Sequence, residues 1–159
     1  MEKLIMAFSG PSNSGKTTLI TKISNEFINQ GLKVLIIKHD PADKAQFDFN
    51  GKDSFKFFQT GAEVMVLSPT RTTFFSHQQR DILKALQLSQ DFDICLVEGL
   101  KNLDLPRISV FCQEIDESYF PFSKAIASYN KISHANLIWL DLNNIKEICR
   151  YILNNAKKI

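Results

Sequence analysis

Cysteine is scarce in this chain. Only Cys95, Cys112 and Cys149 occur, far apart and in apolar surroundings. Their number is odd and no C-x-x-C pair is present, so a disulfide framework is not expected; buried thiols in a reducing cytoplasm are. Histidine is equally sparse: His39, His77 and His134 are scattered, which favours structural or solvated roles over metal ligation. A run of about 18 apolar residues, the minimum for a membrane span, is missing. So is an excess of charge, the formal net value being +2 with no basic tract. Nucleic acid is therefore not a favoured partner. The pair Lys157-Lys158 reads as a helix C-terminus meeting its dipole. The start, "MEKLIMAFSG", lacks a small-residue cleavage site and runs straight into a polar turn, so it reads as a strand and not a signal peptide. Repeats, low-complexity tracts and linkers are absent, and residues 1–159 read as a single nucleotide-binding domain.

What is present suits a packed core: 44% of the 159 residues are hydrophobic and 23% charged. "KLIMAFS" (3–9), "LKVLIIKH" (32–39), "AEVMVLS" (62–68), "FDICLVEG" (92–99), "RISVFC", "KAIASYN" and "NLIWLDL" are short apolar runs bounded by turn residues, as in buried strands. Helical spacing appears from Lys16 to Gln30, closed by Gly31. It recurs in "SHQQRDILKALQL", with Ser76 as candidate N-cap, and in "NNIKEICRYILNNAKK". Asp53 is placed to cap a short helix to Thr60. Between Asp40 and Asp53 lies an aperiodic stretch, long for a connection in a compact domain. Alternating strands and helices predict an α/β fold, a three-layer α/β/α arrangement with a largely parallel sheet, parts of the middle pairing antiparallel.

The first strand is followed by "GPSNSGKT", Gly10 to Thr17, which satisfies G-x-x-x-x-G-K-[ST]. A loop that wraps an anion must turn its N–H groups inward and keep side chains out, hence Gly10 and Gly15 with Ser12, Asn13 and Ser14 between them. The following helix presents unpaired N–H groups to the same anion. Lys16 supplies a mobile cation for β and γ phosphates, Thr17 a hydroxyl for Mg²⁺, and Thr18 reaches the α phosphate. The strand–loop–helix context favours the nucleotide-binding loop of a P-loop NTPase over the alternative, a glycine-rich turn that merely starts a helix.

Such a loop needs an acid for the metal. Glu98 ends an apolar strand at the carboxyl edge, where doubly wound sheets bind ligands. Asp40, after the second strand, is the other candidate, whereas Asp93 begins its strand and belongs at the opposite edge. Arg71, just past the third strand, either grips an oxyanion or is a solvated arginine. "NKIS" (130–133) supplies the Asn and Lys of the guanine-reading N-K-x-D but not its acid, so spacing alone leaves GTP and ATP open.

Three segments, "GPSNSGKTTLI", "DFNGKDSFKFFQTGAEVMVLSPTR" and "LVEGLK", resemble in order and spacing the molybdopterin-guanine dinucleotide biosynthesis adaptor proteins (MobB). The matching features are Lys38-His39, Asp48, Gly51-Lys52-Asp53-Ser54, Gly61-Ala62, Arg71 and Val97-Glu98-Gly99-Leu100-Lys101, with "LPRISVF" and "AIASY" downstream. The chain departs from that pattern in keeping a single histidine after the second strand, and in having Phe57-Phe58 where an arginine is usual. The resemblance implies a dimeric, cytoplasmic, GTP-binding protein with weak Mg²⁺-dependent hydrolysis. It would assist the guanylyltransferase that joins GMP to molybdopterin, with Lys16 and Glu98 as catalytic candidates. Asp48, Lys52, Asp53 and Lys101 become candidates for a loop that meets the pterin cofactor or the partner enzyme. Lys52 also suits a phosphate, Asp53 helix capping, and Lys101 plain solvation.

Other functions on the same fold remain to be weighed. A small-molecule kinase needs an arginine-bearing lid, yet Arg71, Arg80, Arg107 and Arg150 do not cluster. A metal-centre assembly GTPase needs a Cys/His set at ligand spacing, which is lacking. A module that binds nucleotide without turnover also fits, since neither a general base nor a cis arginine finger is evident; this predicts slow hydrolysis.

Overall fold

The structure, a computed structural model, describes residues 2–159. Its backbone groups into two compact units: the first comprises residues 2–39 and 91–159, the second Asp40–Gln90.

The first unit is built on β1 (Leu4–Ser9), α1 (Lys16–Asn29) and β2 (Val34–Lys38). In the second unit lie α2 (Asp53–Gln59), β3 (Val64–Leu67), β4 (Thr72–Phe75) and α3 (Ile82–Leu88). The chain then returns to the first unit with β5 (Ile94–Glu98), β6 (Arg107–Phe111), a 3-10 segment (Glu117–Phe122), β7 (Ala125–Ser128), β8 (Ile138–Asp141), α4 (Ile145–Asn155) and β9 (Lys157–Lys158). Its sheet runs β2-β5-β1-β6-β7-β8, all parallel, with β9 antiparallel to β1. The expected α/β class and largely parallel sheet are thus observed. Among the described residues no helix is long and apolar enough to cross a membrane.

Parallel strands covered on both faces should be apolar throughout, and Ile94, Cys95, Leu96 and Val97 of β5 are all fully buried. On one face Met6, Phe8, Leu96, Ile108 and Val110 pack under Leu19, Ile23 and Phe27 of α1 and Ile148 and Ile152 of α4. The opposite face carries Ser9, Arg107, Ser109 and Phe111, whose bonds and ring contacts run to the loop after β5 and to the 3-10 segment. Burial pushes the Cys95 thiol up to about 12 and Cys149 to about 11, so neither is a thiolate at neutral pH. Cys112 is only half-buried, unlike the expectation for all three.

Several local expectations need correction. Lys157 and Lys158 do not end the last helix; they form β9 opposite Leu4 and Ile5, and Lys158 pairs with Glu2 at 2.7 Å. Asp81, not Ser76, caps α3, its carboxylate accepting from the Lys84 amide. Ser76 instead bonds Glu63 and Arg80, a tertiary pairing that periodicity does not reveal. Lys52 holds the N-cap of α2 and makes no side-chain cap, while Asp53 is the first helical residue and pairs with Lys56 at 3.4 Å. An acid there still complements the helix dipole. The strand β4 was not expected; it pairs antiparallel with β3, Met65 opposite Phe74.

Candidate functional site

The turn after β1 has the geometry that an anion cradle needs. Gly10 sits at φ 141°, and a Cβ there would come within 2.6 Å of both Ser14 Oγ and the Val110 carbonyl. Gly15 sits at φ 88°, where a Cβ would collide with Cys112 Sγ. Neither position admits another residue without moving the loop. Asn13 is also left-handed, at φ 62°. The Cys112 amide donates to the Ser14 carbonyl at 3.2 Å, tying the loop to the end of β6.

α1 starts directly from this turn. Unlike α3 and α4 it has no side-chain cap, and no acid lies in its first turn. Its leading N–H groups are left to a ligand or to water. Lys16 folds back over the turn, donating to the carbonyls of Gly10 at 3.0 Å and Pro11 at 2.7 Å. Burial holds its ammonium below the usual lysine range; Glu98 opposes that shift and Lys38 adds to it. A phosphate in the cradle would replace these neutral acceptors with anionic ones, which bind a cation more strongly.

The turn and the strand ends enclose a cavity of about 490 Å³, walled by Ser12 to Thr18 on one side and by Lys38 and Glu98 on the other. The structure therefore brings together Ser12, Asn13, Ser14, Gly15, Lys16, Thr17, Thr18 and Glu98 of the expected residues. Gly10 lines a second cavity instead, of about 390 Å³, which shares Lys16 with the first and takes in Lys101. Register explains the meeting of Glu98 and Lys38: they are paired across β5 and β2.

Asp40, Asp48, Lys52, Asp53 and Arg71 belong to the second unit. The Oδ2 of Asp40 accepts from the amides of Lys44 and Ala45, both at 2.7 Å, which organises its own loop. Asp48 Oδ1 accepts from the Phe49 amide, while its Oδ2 is buried without a hydrogen bond. Arg71 lies in the turn between β3 and β4, its backbone bonded to Ser68. His77 stacks on Phe58, ring centroids 3.7 Å apart, and His134 meets the edge of Phe120. Among the described residues no group of three His, Cys, Asp or Glu could hold a metal.

Three features were missed by sequence reasoning. Lys38 faces the cavity; its signal was its position at the carboxyl end of a strand. Arg107 is 1% exposed. It donates to the carbonyls of Gly99 and Leu100, each at 2.8 Å, and of Leu103 at 3.4 Å, so it holds the loop after Glu98 from beneath. A charged residue opening the apolar run "RISVF" was the available clue. A buried chain of serines, Ser9, Ser109 and Ser123, left no readable signal.

A model of the family described as "Molybdopterin guanine dinucleotide synthesis protein B" matches residues 5–129. The chain is 28% identical to the molybdopterin-guanine dinucleotide biosynthesis adapter protein of Haemophilus influenzae over 157 residues, covering 94% of this chain and 88% of that one. It is 30% identical to the Escherichia coli adapter protein over 114 residues, covering 67% and 65% of the two chains. A crystal structure of molybdopterin-guanine biosynthesis protein B superposes with a TM-score of 0.77 at 25% identity, covering 95% and 97%. Bacillus subtilis MobB shares the fold, with a TM-score of 0.80 at 24% identity over 97% and 98%. A family model matched over most of the chain, with relatives and a solved structure of the same name, places the protein in the MobB family of molybdopterin guanine dinucleotide synthesis proteins.

Proposed function

We propose that the protein is an adapter in molybdopterin guanine dinucleotide biosynthesis that binds Mg·GTP and assists the guanylyltransferase. The observation that carries this reading is the Gly10–Thr17 turn, with Lys16 inside it and Glu98 facing it across one cavity. Thr17 and Glu98 offer a hydroxyl and a carboxylate, hard oxygen donors of the kind Mg²⁺ takes alongside phosphate and water. When bound, the ion neutralises charge on the phosphates. Lys16 and the α1 amides bind and orient the triphosphate, and Glu98 also lies where it can position a water.

A slow GTPase is the expected chemistry. Arg107 spends its donors on backbone carbonyls, and Arg80 on Ser76, Gln78 and Glu63, so neither is available to clamp a transferred phosphoryl group. This favours the adapter over the small-molecule kinase. Calorimetry with Mg²⁺ should give tighter binding of GTP than of ATP; a preference for ATP with phosphate transfer to a metabolite would move the assignment to a kinase. Glu98→Gln should slow hydrolysis by roughly tenfold or more while changing GTP affinity less, because its role is positioning and charge. Normal turnover by that variant would refute the role.

A homodimer is part of the same reading. The β3–β4 hairpin is a separate two-stranded sheet, marginal alone. One of its faces presents Met65, Leu67 and Phe74, 60%, 74% and 37% exposed. A second copy would cover that apolar face. In sedimentation, Leu67→Asp should convert dimer to monomer, and an unaltered sedimentation coefficient would place the contact elsewhere.

A further inference from the structure

The second cavity, next to the phosphate cradle, has construction of its own. Its floor includes Ser9, one side is the loop Gly99–Leu103, and the far wall is Tyr119 of the 3-10 segment. Both walls are fastened from behind. Arg107 holds the loop through three carbonyls, fixing Leu100 at φ 49°. The serine chain holds the other wall, and its bond directions follow from proton counting. A carbonyl only accepts, so Ser123 Oγ donates its single hydrogen to the Tyr119 carbonyl at 2.7 Å. Ser123 must then accept from Ser109 at 2.6 Å, and Ser109 from Ser9 at 2.8 Å. The Ser9 hydroxyl has its hydrogen committed inward. Toward a ligand it offers only lone pairs, an acceptor for an N–H group.

The remaining lining, which also includes His39, is equally selective. Leu100, Leu103 and the Tyr119 ring give apolar surfaces suited to a flat ring. Lys101 Nζ stands over the Tyr119 ring, 5.9 Å from its centroid, so the cation caps the aromatic face. Asn102 adds an amide that donates and accepts. Lys16, which lines both cavities, forms the border with the triphosphate cavity.

We infer that this cavity is a second ligand site, which takes a flat heterocycle with N–H groups on its edge and an anionic substituent, the chemical class of a pterin phosphate, and holds it beside the nucleotide's phosphates. The ring lies against Leu100, Leu103 and Tyr119, its edge donates to Ser9, and Lys101 leaves the Tyr119 face to meet its anion. This deepens the adapter reading and rests on it for the choice of a pterin. One chain would then present both halves of the coupling reaction to the transferase.

The test titrates pterin-6-carboxylate, followed by its own fluorescence, into the full chain with and without saturating Mg·GTP. Saturable one-to-one binding that persists with GTP in place is expected. Lys101→Glu, a surface change, should weaken the probe by about tenfold or more, and Tyr119→Leu should do likewise. Unsubstituted pterin should bind more weakly than the carboxylate. Absence of saturable binding, displacement of the probe by GTP, or full affinity in both variants would overturn the assignment. GTP binding is read separately. If GTP binds and the probe does not, the second site falls and the nucleotide reading stands; if the probe binds and GTP does not, the nucleotide reading falls instead.

Discussion

Replacing Lys16 by alanine is expected to lower the affinity for Mg·GTP by roughly a hundredfold or more, equivalent to about 3 kcal/mol. The physical reason is that the ammonium is already desolvated. It sits against two neutral carbonyls in the turn, and burial disfavours its charge. That unfavourable state is relieved only when an anion enters, so the side chain contributes to binding far more than to folding. The melting temperature of Lys16→Ala should therefore stay close to that of the wild type while calorimetry loses the GTP isotherm. If the isotherm survives with its original affinity, the turn is not the phosphate site.

The second large effect is on stability. Arg107→Ala should destabilise the fold by about 3 kcal/mol, because it leaves the Gly99 carbonyl without its donor, strips the Leu100 and Leu103 carbonyls to their single amide partners, and opens a void in the sheet face. For a chain of this size that corresponds to a fall of roughly 6–12 °C in melting temperature. Arg107→Lys keeps the charge but loses the planar fork, so it should fall between the two. All three acceptors are neutral, so the cost of burying the guanidinium is offset only by these bonds; burial accordingly holds its pKa below the ordinary arginine value. Thermal unfolding of the three proteins orders them directly. An Arg107→Ala protein that melts with the wild type would mean that the loop supports itself.

The two variants separate binding from architecture. Lys16 borders both cavities of the first unit and is proposed to meet a ligand there, while Arg107 is fully buried. A loss of pterin-carboxylate binding in Arg107→Lys would follow from a loosened Gly99–Leu103 loop, since a positioning residue acts through what it holds.

Much of this protein was legible because its signals are local. Strands buried on both faces must be apolar from end to end, so "LIMAFS", "ICLVE" and "AIAS" announced themselves. The cradle was equally plain, since wrapping an anion with backbone amides demands glycines at fixed spacing, and Gly10 and Gly15 adopt the left-handed angles that this requires. Glu98 followed from its place at a strand's carboxyl end.

Features whose partners are distant in the chain were decided by tertiary structure alone. Lys157 and Lys158 looked like a helix end and became a strand because the edge of β1 was within reach. Ser76 lost its capping role to a bond with Glu63, thirteen positions away. Lys38 became part of the site through registry with Glu98, sixty residues on. Ser9, Ser109 and Ser123 are three ordinary serines until the sheet stacks them into one proton-ordered chain. By itself the sequence determined the glycine turn after β1 and the α/β alternation, because backbone conformation and burial depend on near neighbours. Only the folded structure decided the second cavity, because hydrogen-bond direction and the meeting of side chains depend on which strands lie side by side.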